Sequence, residues 1–218
     1  MSPLVKICGL STPETLDAAL EAGADMVGFV FFPKSPRNVS LEAAKTLGER
    51  TGGRAKKVAL LVDADDAAIA SIMDALHPDV LQLHGKESPE RTAEIRTRFG
   101  VPVMKALGVS TRDDLARVPA FAEVADLLLF DAKPPKDAVL PGGNGVAFDW
   151  PILAGLDLAK PFMVSGGLDA GNVRDALALT KAQGADVSSG VETAPGIKDP
   201  RRIREFVEAA RTAREEQA

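Results

Sequence analysis

Tyrosine is absent from this chain, cysteine and tryptophan occur once each, and histidine twice in 218 residues. Each shortage excludes something. No tyrosine hydroxyl is available as an acid, a base or a ligand. A single cysteine, Cys8, forbids an internal disulfide and fits a reducing cytosol. No Cys-x-x-Cys pair and no metal-spaced cluster accompanies it, so no metal is expected. The Gly-x-x-x-x-Gly-Lys-Ser/Thr loop is missing, as is a Rossmann fingerprint after a strand, so no nucleotide or other cofactor is expected. There is no membrane-length apolar run. The short N-terminal stretch is interrupted by Lys6 and Gly9 and has no signal-peptide core, so a cytoplasmic protein with no membrane partner is expected. Basic residues are also in deficit, 26 Lys and Arg against 31 Asp and Glu, for a net charge of -5. That argues against nucleic acid, which needs a basic face. A local cluster of donors can still hold a small anionic molecule.

What is present is a repeat. Apolar runs ending in a polar or glycine-rich turn occupy residues 4–9, 26–32, 58–63, 80–85, 103–108, 127–133, 162–167 and 185–190. Continuous runs rich in Val, Ile, Leu and Phe suit strands buried on both faces of a parallel sheet. Helical patterns follow them at 13–22, 41–47, 67–76, 89–99, 113–122, 150–156, 172–180 and 200–213, with Ser40 a natural N-cap. A doubly wound open sheet also alternates strand and helix. Eight units without a linker or a composition shift favour an α/β fold of one closed (β/α)8 barrel, a TIM barrel, as a single domain over residues 1–218. Residues 213–218 read as a polar, frayed helix end.

In such a barrel the chemistry sits where strands end. The candidates are Cys8, the loop 33–37, Asp63, His84, Lys105, Asp131, Ser165 and Ser188. Cys8 is either a buried filler or a reactive thiol. The two last turns, Ser165-Gly166-Gly167 and Ser188-Ser189-Gly190, let backbone N–H groups approach a phosphate, or else simply turn tightly. Arg37 offers a fork matched to a carboxylate, unless its Lys/Pro loop is only a solvated surface. Asp131 closes a very apolar strand, a setting for a general acid, with Lys133 pushing the other way. It could equally cap a helix or hold a lysine. His84 is a base or a structural ring. Residues 142–145 form either a lid or a plain connection.

Taken together, these segments resemble the phosphoribosylanthranilate isomerase family. The matching stretches are Lys6-Ile7-Cys8-Gly9, Val27-Gly28-Phe29-Val30-Phe31 with Pro33-Lys34-Ser35-Pro36-Arg37, Val80-Leu81-Gln82-Leu83-His84-Gly85, Phe130-Asp131-Ala132-Lys133, Phe148-Asp149-Trp150, Ser165-Gly166-Gly167-Leu168 and Asp186-Val187-Ser188-Ser189-Gly190-Val191-Glu192. They occur in order, near the end of almost every expected strand. The resemblance implies an isomerase of tryptophan biosynthesis. It would convert N-(5-phosphoribosyl)anthranilate to 1-(2-carboxyphenylamino)-1-deoxyribulose 5-phosphate by a cofactor-free Amadori rearrangement. By the same resemblance Cys8 is the general base, Asp131 the general acid and Arg37 the ligand of the anthranilate carboxylate. Ser165, Gly166, Gly167, Asp186, Ser188, Ser189 and Gly190 then hold the phosphorylated small-molecule substrate.

The residue types suit that chemistry. Asp131 would protonate the ring oxygen, and Cys8 as thiolate would remove the C2′ proton of the resulting iminium. Lys6, two residues before Cys8 and therefore on the same strand face, is expected to lower the thiol pKa. Two other readings compete. The related histidine-pathway sugar isomerase performs the same rearrangement but uses an aspartate where this chain has Cys8. A non-catalytic barrel that binds a phosphorylated metabolite would need neither Cys8 nor Asp131. Monomer and homodimer are both left open.

Overall fold

The computed structural model describes residues 2–133, 142 and 149–213. Eight strands form the centre: β1 (Leu4–Cys8), β2 (Met26–Phe31), β3 (Lys56–Leu61), β4 (Val80–Leu83), β5 (Val103–Val109), β6 (Leu127–Ala132), β7 (Phe162–Val164) and β8 (Gly184–Val187). Each pairs in parallel with the next, and β8 pairs with β1 to close the barrel. Around it lie α1 (Pro13–Glu21), α2 (Leu41–Thr51), α3 (Asp66–Leu76), α4 (Pro89–Phe99), α5 (Val118–Val124), α6 (Val173–Thr180) and α7 (Pro200–Thr212). The expected fold is the observed one.

Alternation along the strands builds two cores. Val5, Ile7, Val27, Phe29 and their counterparts face outward and pack under the helices in the large cluster. Inside the barrel, Met26, Val58, Val80, Met104, Leu129 and Met163 fill the N-terminal end. Above them the filling turns polar, with Lys6, Gln82 and Asp186 all buried. Cys8, Val30 and Leu60 lie higher still. Both strand faces are dry, which is why the sequence shows continuous apolar runs rather than alternation.

Helix starts follow from side-chain caps. Thr12, Ser40, Asp65 and Ser88 each accept a hydrogen bond from the backbone N–H three residues on. Two expected helices differ from the observed elements. The segment expected at 113–122 is a 3-10 turn (Arg112–Arg117) running into α5, whose second residue, Pro119, has no N–H to continue a preceding helix. The segment expected at 150–156 shrinks to one 3-10 turn, Trp150–Leu153, closed off by Gly155 at φ 76°. An unexpected hairpin, β9 (Glu192–Ala194) with β10 (Ile197–Lys198), stands between β8 and α7. No helix among the described residues is long and apolar enough to cross a membrane. Most of the segment 142–145 and of the expected helix end at 213–218 lies outside the described residues, as does Phe148.

Candidate active site

The inward-facing residues at the C-terminal strand ends build one site. Cys8 ends β1 and is opposite Gly28 in the β1–β2 register. A Cβ on Gly28 would lie 3.1 Å from the Cys8 sulfur and 3.2 Å from Lys6 Nζ, so glycine there makes room for both groups. Lys6 is also the register partner of Asp186, and its Nζ donates to Asp186 Oδ1 at 2.9 Å inside the barrel. Asp186 is thus seated beneath Cys8, across the β1–β8 seam.

Lys6 acts on the Cys8 thiol in the expected direction, but a larger effect opposes it. Burial is the largest influence on Cys8 and raises the thiol pKa. The charges of Lys6 and Lys198 act to lower it but do not prevail, partly because Asp186 opposes them. Lys6 itself feels burial most. Asp186 and Cys8 outweigh that effect and keep its pKa above the ordinary lysine value.

Arg37 is buried, although Pro33, Lys34, Pro36 and Asn38 around it in the loop are exposed. The loop folds back on β2 through the Val39 N–H to Val30 O bond and an isolated bridge between Val30 and Asn38. Gly9, at φ 78°, lies under the Arg37 stem, where a Cβ would meet Arg37 Cδ at 2.7 Å. The glycine of Lys6-Ile7-Cys8-Gly9 therefore brings the arginine next to the thiol strand. Arg37 Nε and Nη2 donate to the two oxygens of Glu192 at 2.7 and 2.8 Å.

Asp131 is near the end of β6, three strands round the barrel from Cys8. Its Oδ1 accepts from the Ala132 N–H at 2.8 Å, and its Oδ2 is 3.3 Å from His84 Nε2. Behind His84, the Gln82 side-chain amide meets Nδ1 at 3.1 Å. Gly142 crosses over this pair so closely that a Cβ would lie 2.6 Å from both Asp131 Oδ2 and His84 Nε2. Lys133 points elsewhere and pairs with Asp114 at 2.7 Å.

The two serine-glycine turns meet. Gly166 and Gly167 both have positive φ, 83° and 66°, and no described residue accepts a hydrogen bond from their N–H groups. Gly166 packs on the end of β6, with 3.1 Å from its would-be Cβ to Asp131 Oδ1. Gly190 packs against the Leu168 carbonyl so closely that no Cβ could fit. Ser165 is buried, and its N–H donates to Phe130 O at 2.8 Å. Ser188 O and Oγ accept from Lys198 Nζ at 2.9 and 3.0 Å, which leaves the Ser188 hydroxyl proton directed elsewhere. Two adjoining turns with backbone donors are a cradle for an anion.

Two strand-end candidates lie elsewhere. Lys105 sits on the helix side of β5, between the outward Val103 and Leu107, and pairs with Glu87 at 2.7 Å. Asp63 accepts from the Lys86 N–H at 2.6 Å and ties the β3 loop to the β4 loop. Glu192, Lys198 and Gln82 escaped the sequence reading as functional residues. Glu192 carried one signal, its place at the end of the Ser-Ser-Gly turn motif, whereas Lys198 carried none.

Residues 5–209 match the family model described as N-(5′-phosphoribosyl)anthranilate (PRA) isomerase. The chain belongs to this family. It is 63% identical over 215 residues to the N-(5′-phosphoribosyl)anthranilate isomerase of Rhodopseudomonas palustris (strain HaA2), covering 99% of both chains. It is 66% identical over 209 residues to that of Azorhizobium caulinodans, covering 96% of this chain and 92% of the relative. Among solved structures, the Thermotoga maritima isomerase superposes with a TM-score of 0.86 at 35% identity, covering 95% of this chain and 98% of that one. A family structure in complex with reduced 1-(o-carboxyphenylamino)-1-deoxyribulose 5-phosphate superposes with a TM-score of 0.83 at 34% identity over the same shares. The family is an isomerase family, and the barrel described above is the fold of its solved members. Among the described residues, no group of three or more His, Cys, Asp and Glu side chains is arranged to hold a metal ion.

Proposed function

We propose that this cytoplasmic chain, as a monomer or a homodimer, isomerises N-(5′-phosphoribosyl)anthranilate to 1-(2-carboxyphenylamino)-1-deoxyribulose 5-phosphate in tryptophan biosynthesis. The observation that carries this reading is a thiol at the end of β1 and a carboxyl near the end of β6, both inward at one barrel mouth beside two adjoining serine-glycine turns. Arg37, held by Glu192, receives the anthranilate carboxylate, since a guanidinium matches a carboxylate in shape and charge. The phosphate rests on the N–H groups of Gly166, Gly167, Ser189 and Gly190, with the Ser165 and Ser188 hydroxyls beside them. Those two anchors stretch the ribose between Cys8 and Asp131. Asp186 stands below the ribose through its bond to Lys6.

Asp131 delivers a proton to the furanose ring oxygen as the C1′–O bond breaks, giving an open-chain iminium. The iminium nitrogen draws electrons from C2′ and acidifies its proton. The Cys8 thiolate takes that proton and leaves an enolamine, which tautomerises to the ketone. Burial raises the thiol pKa in the free protein, and the cationic iminium beside it acts the other way and favours the thiolate form that takes the proton. His84, in reach of Asp131, is placed to return a proton to it. Loss of the fluorescent anthranilate substrate on adding purified protein tests the reading directly. Turnover is expected, and a folded protein that leaves the fluorescence unchanged overturns it.

A further inference from the structure

Arg37 and the phosphate cradle belong to different parts of the chain, yet the hairpin β9–β10 joins them. Glu192 accepts from Arg37 Nε and Nη2, as described above. Across the hairpin register from Glu192, Lys198 donates to Glu192 Oε1 at 2.7 Å and to Ser188 O and Oγ. Arg37, Glu192 and Lys198 are all buried. The hairpin tip adds a second contact, because Gly196 packs on the Pro36 carbonyl with only 2.7 Å to spare for a Cβ. At its base, Arg202 Nη1 donates to Glu192 O and the Asp199 N–H donates to Val191 O at 2.9 Å, which fasten the hairpin to α7.

A substrate with a carboxylate at one end and a phosphate at the other must present its reacting atoms to Cys8 and Asp131 within a fraction of an ångström. A misplacement of about 1 Å costs about 100-fold in rate. Neither loop can supply that accuracy alone, because the distance between them is what matters. The geometry points to Glu192 and Lys198 as positioning residues: they form a charged strut that sets the spacing between Arg37 and the Ser188 turn, and thereby select the length of the substrate. The three charges sum to one positive unit, which suits a ligand anionic at both ends. This inference rests on the isomerase reading above.

The test uses Glu192→Gln and Lys198→Met, each removing one charge from the strut at nearly constant volume. Three quantities are measured: kcat and KM with the full substrate, competitive inhibition by anthranilate and by ribose 5-phosphate separately, and the thermal midpoint. Each variant is expected to lose about 100-fold in kcat/KM. Each should also weaken inhibition by both fragments, including the one bound at the far end of the strut. Weakening confined to the near fragment overturns the inference, as does a lower thermal midpoint with unchanged kinetics. Failure of both variants to fold would assign the strut to the fold alone and also overturns it. If the unaltered protein shows no turnover, the isomerase reading falls separately. Calorimetric binding of the two fragments to the unaltered protein and the variants then still decides whether the two ends are coupled.

Discussion

At the scale of single residues, Cys8 makes the sharpest demand. Its thiol is protonated in the free protein to a higher pH than an ordinary cysteine, because burial outweighs the nearby lysines. The base form is the thiolate, so activity must grow as the proton leaves. We expect kcat/KM to rise with pH beyond about 8.5, the ordinary thiol value, and a pH–rate profile measures this. A flat profile from neutral to strongly alkaline pH would contradict Cys8 as base. Cys8→Ser should keep the fold and lose most turnover, since a hydroxyl is a far weaker base than a thiolate. Asp131 and Arg37 should fail in different ways. If Asp131 is the proton donor proposed above, Asp131→Asn should drop kcat about 10²- to 10⁴-fold with little change in KM. Arg37→Ala should raise KM more than it lowers kcat, if its contact is equally strong in the ground and transition states. Steady-state kinetics on the two variants separates these outcomes.

At the scale of elements, β2 is as important for what it omits as for what it carries. Gly28 leaves open the space beside the Cys8 sulfur and Lys6 Nζ that a Cβ would crowd. Gly28→Ala should push the sulfur aside, lowering kcat, and overpack the barrel by about 1–3 kcal/mol. Kinetics together with urea unfolding would show both effects, and an active variant of normal stability would disprove the crowding. The barrel strands were legible because burial on both faces writes them as unbroken apolar runs, as in Leu127-Leu128-Leu129-Phe130. That same continuity hid which face each polar residue takes. Lys105 reads as a mouth residue, yet one step of register puts it among the helices with Glu87. The hairpin was illegible for a different reason. Its strands are three and two residues long, and Glu192-Thr193-Ala194-Pro195-Gly196-Ile197-Lys198 buries mainly charges, so no hydrophobic period marks it. The two serine-glycine turns were legible since glycine at such strand ends has few uses. The pairing of Arg37 with Glu192, 155 positions apart, leaves no local trace in the sequence.

At the scale of the whole molecule, the Lys6–Asp186 pair divides the barrel interior. Below it the filling is methionine, valine and leucine; above it stands the chemistry. Removing one partner strands the other charge in a dry interior. Lys6→Met should therefore destabilise the fold by about 3–5 kcal/mol, read as a shift in the urea midpoint. A shift under a tenth of that would mean Asp186 finds protons or water instead. Glu192 adds an acid limit to the site. Burial raises its carboxyl pKa, but Arg37 and Lys198 together overcome this and hold it below the ordinary value. Its contribution is thus present above about pH 4.3 and fades as pH falls below that value. Glu192→Gln should flatten the acid limb of stability measured by denaturant titration.

The seam between β1 and β8 also has a history in time. Cys8 and Lys6 belong to the first strand of the barrel, and Asp186 to the strand that closes it, 180 positions later than Lys6. Until that final strand docks, the thiol has no closed wall beside it and the lysine has no counter-ion. A barrel of seven strands is an open sheet whose β1 edge carries an unpaired lysine. The thiol and its neighbours come together only when β8 closes the barrel.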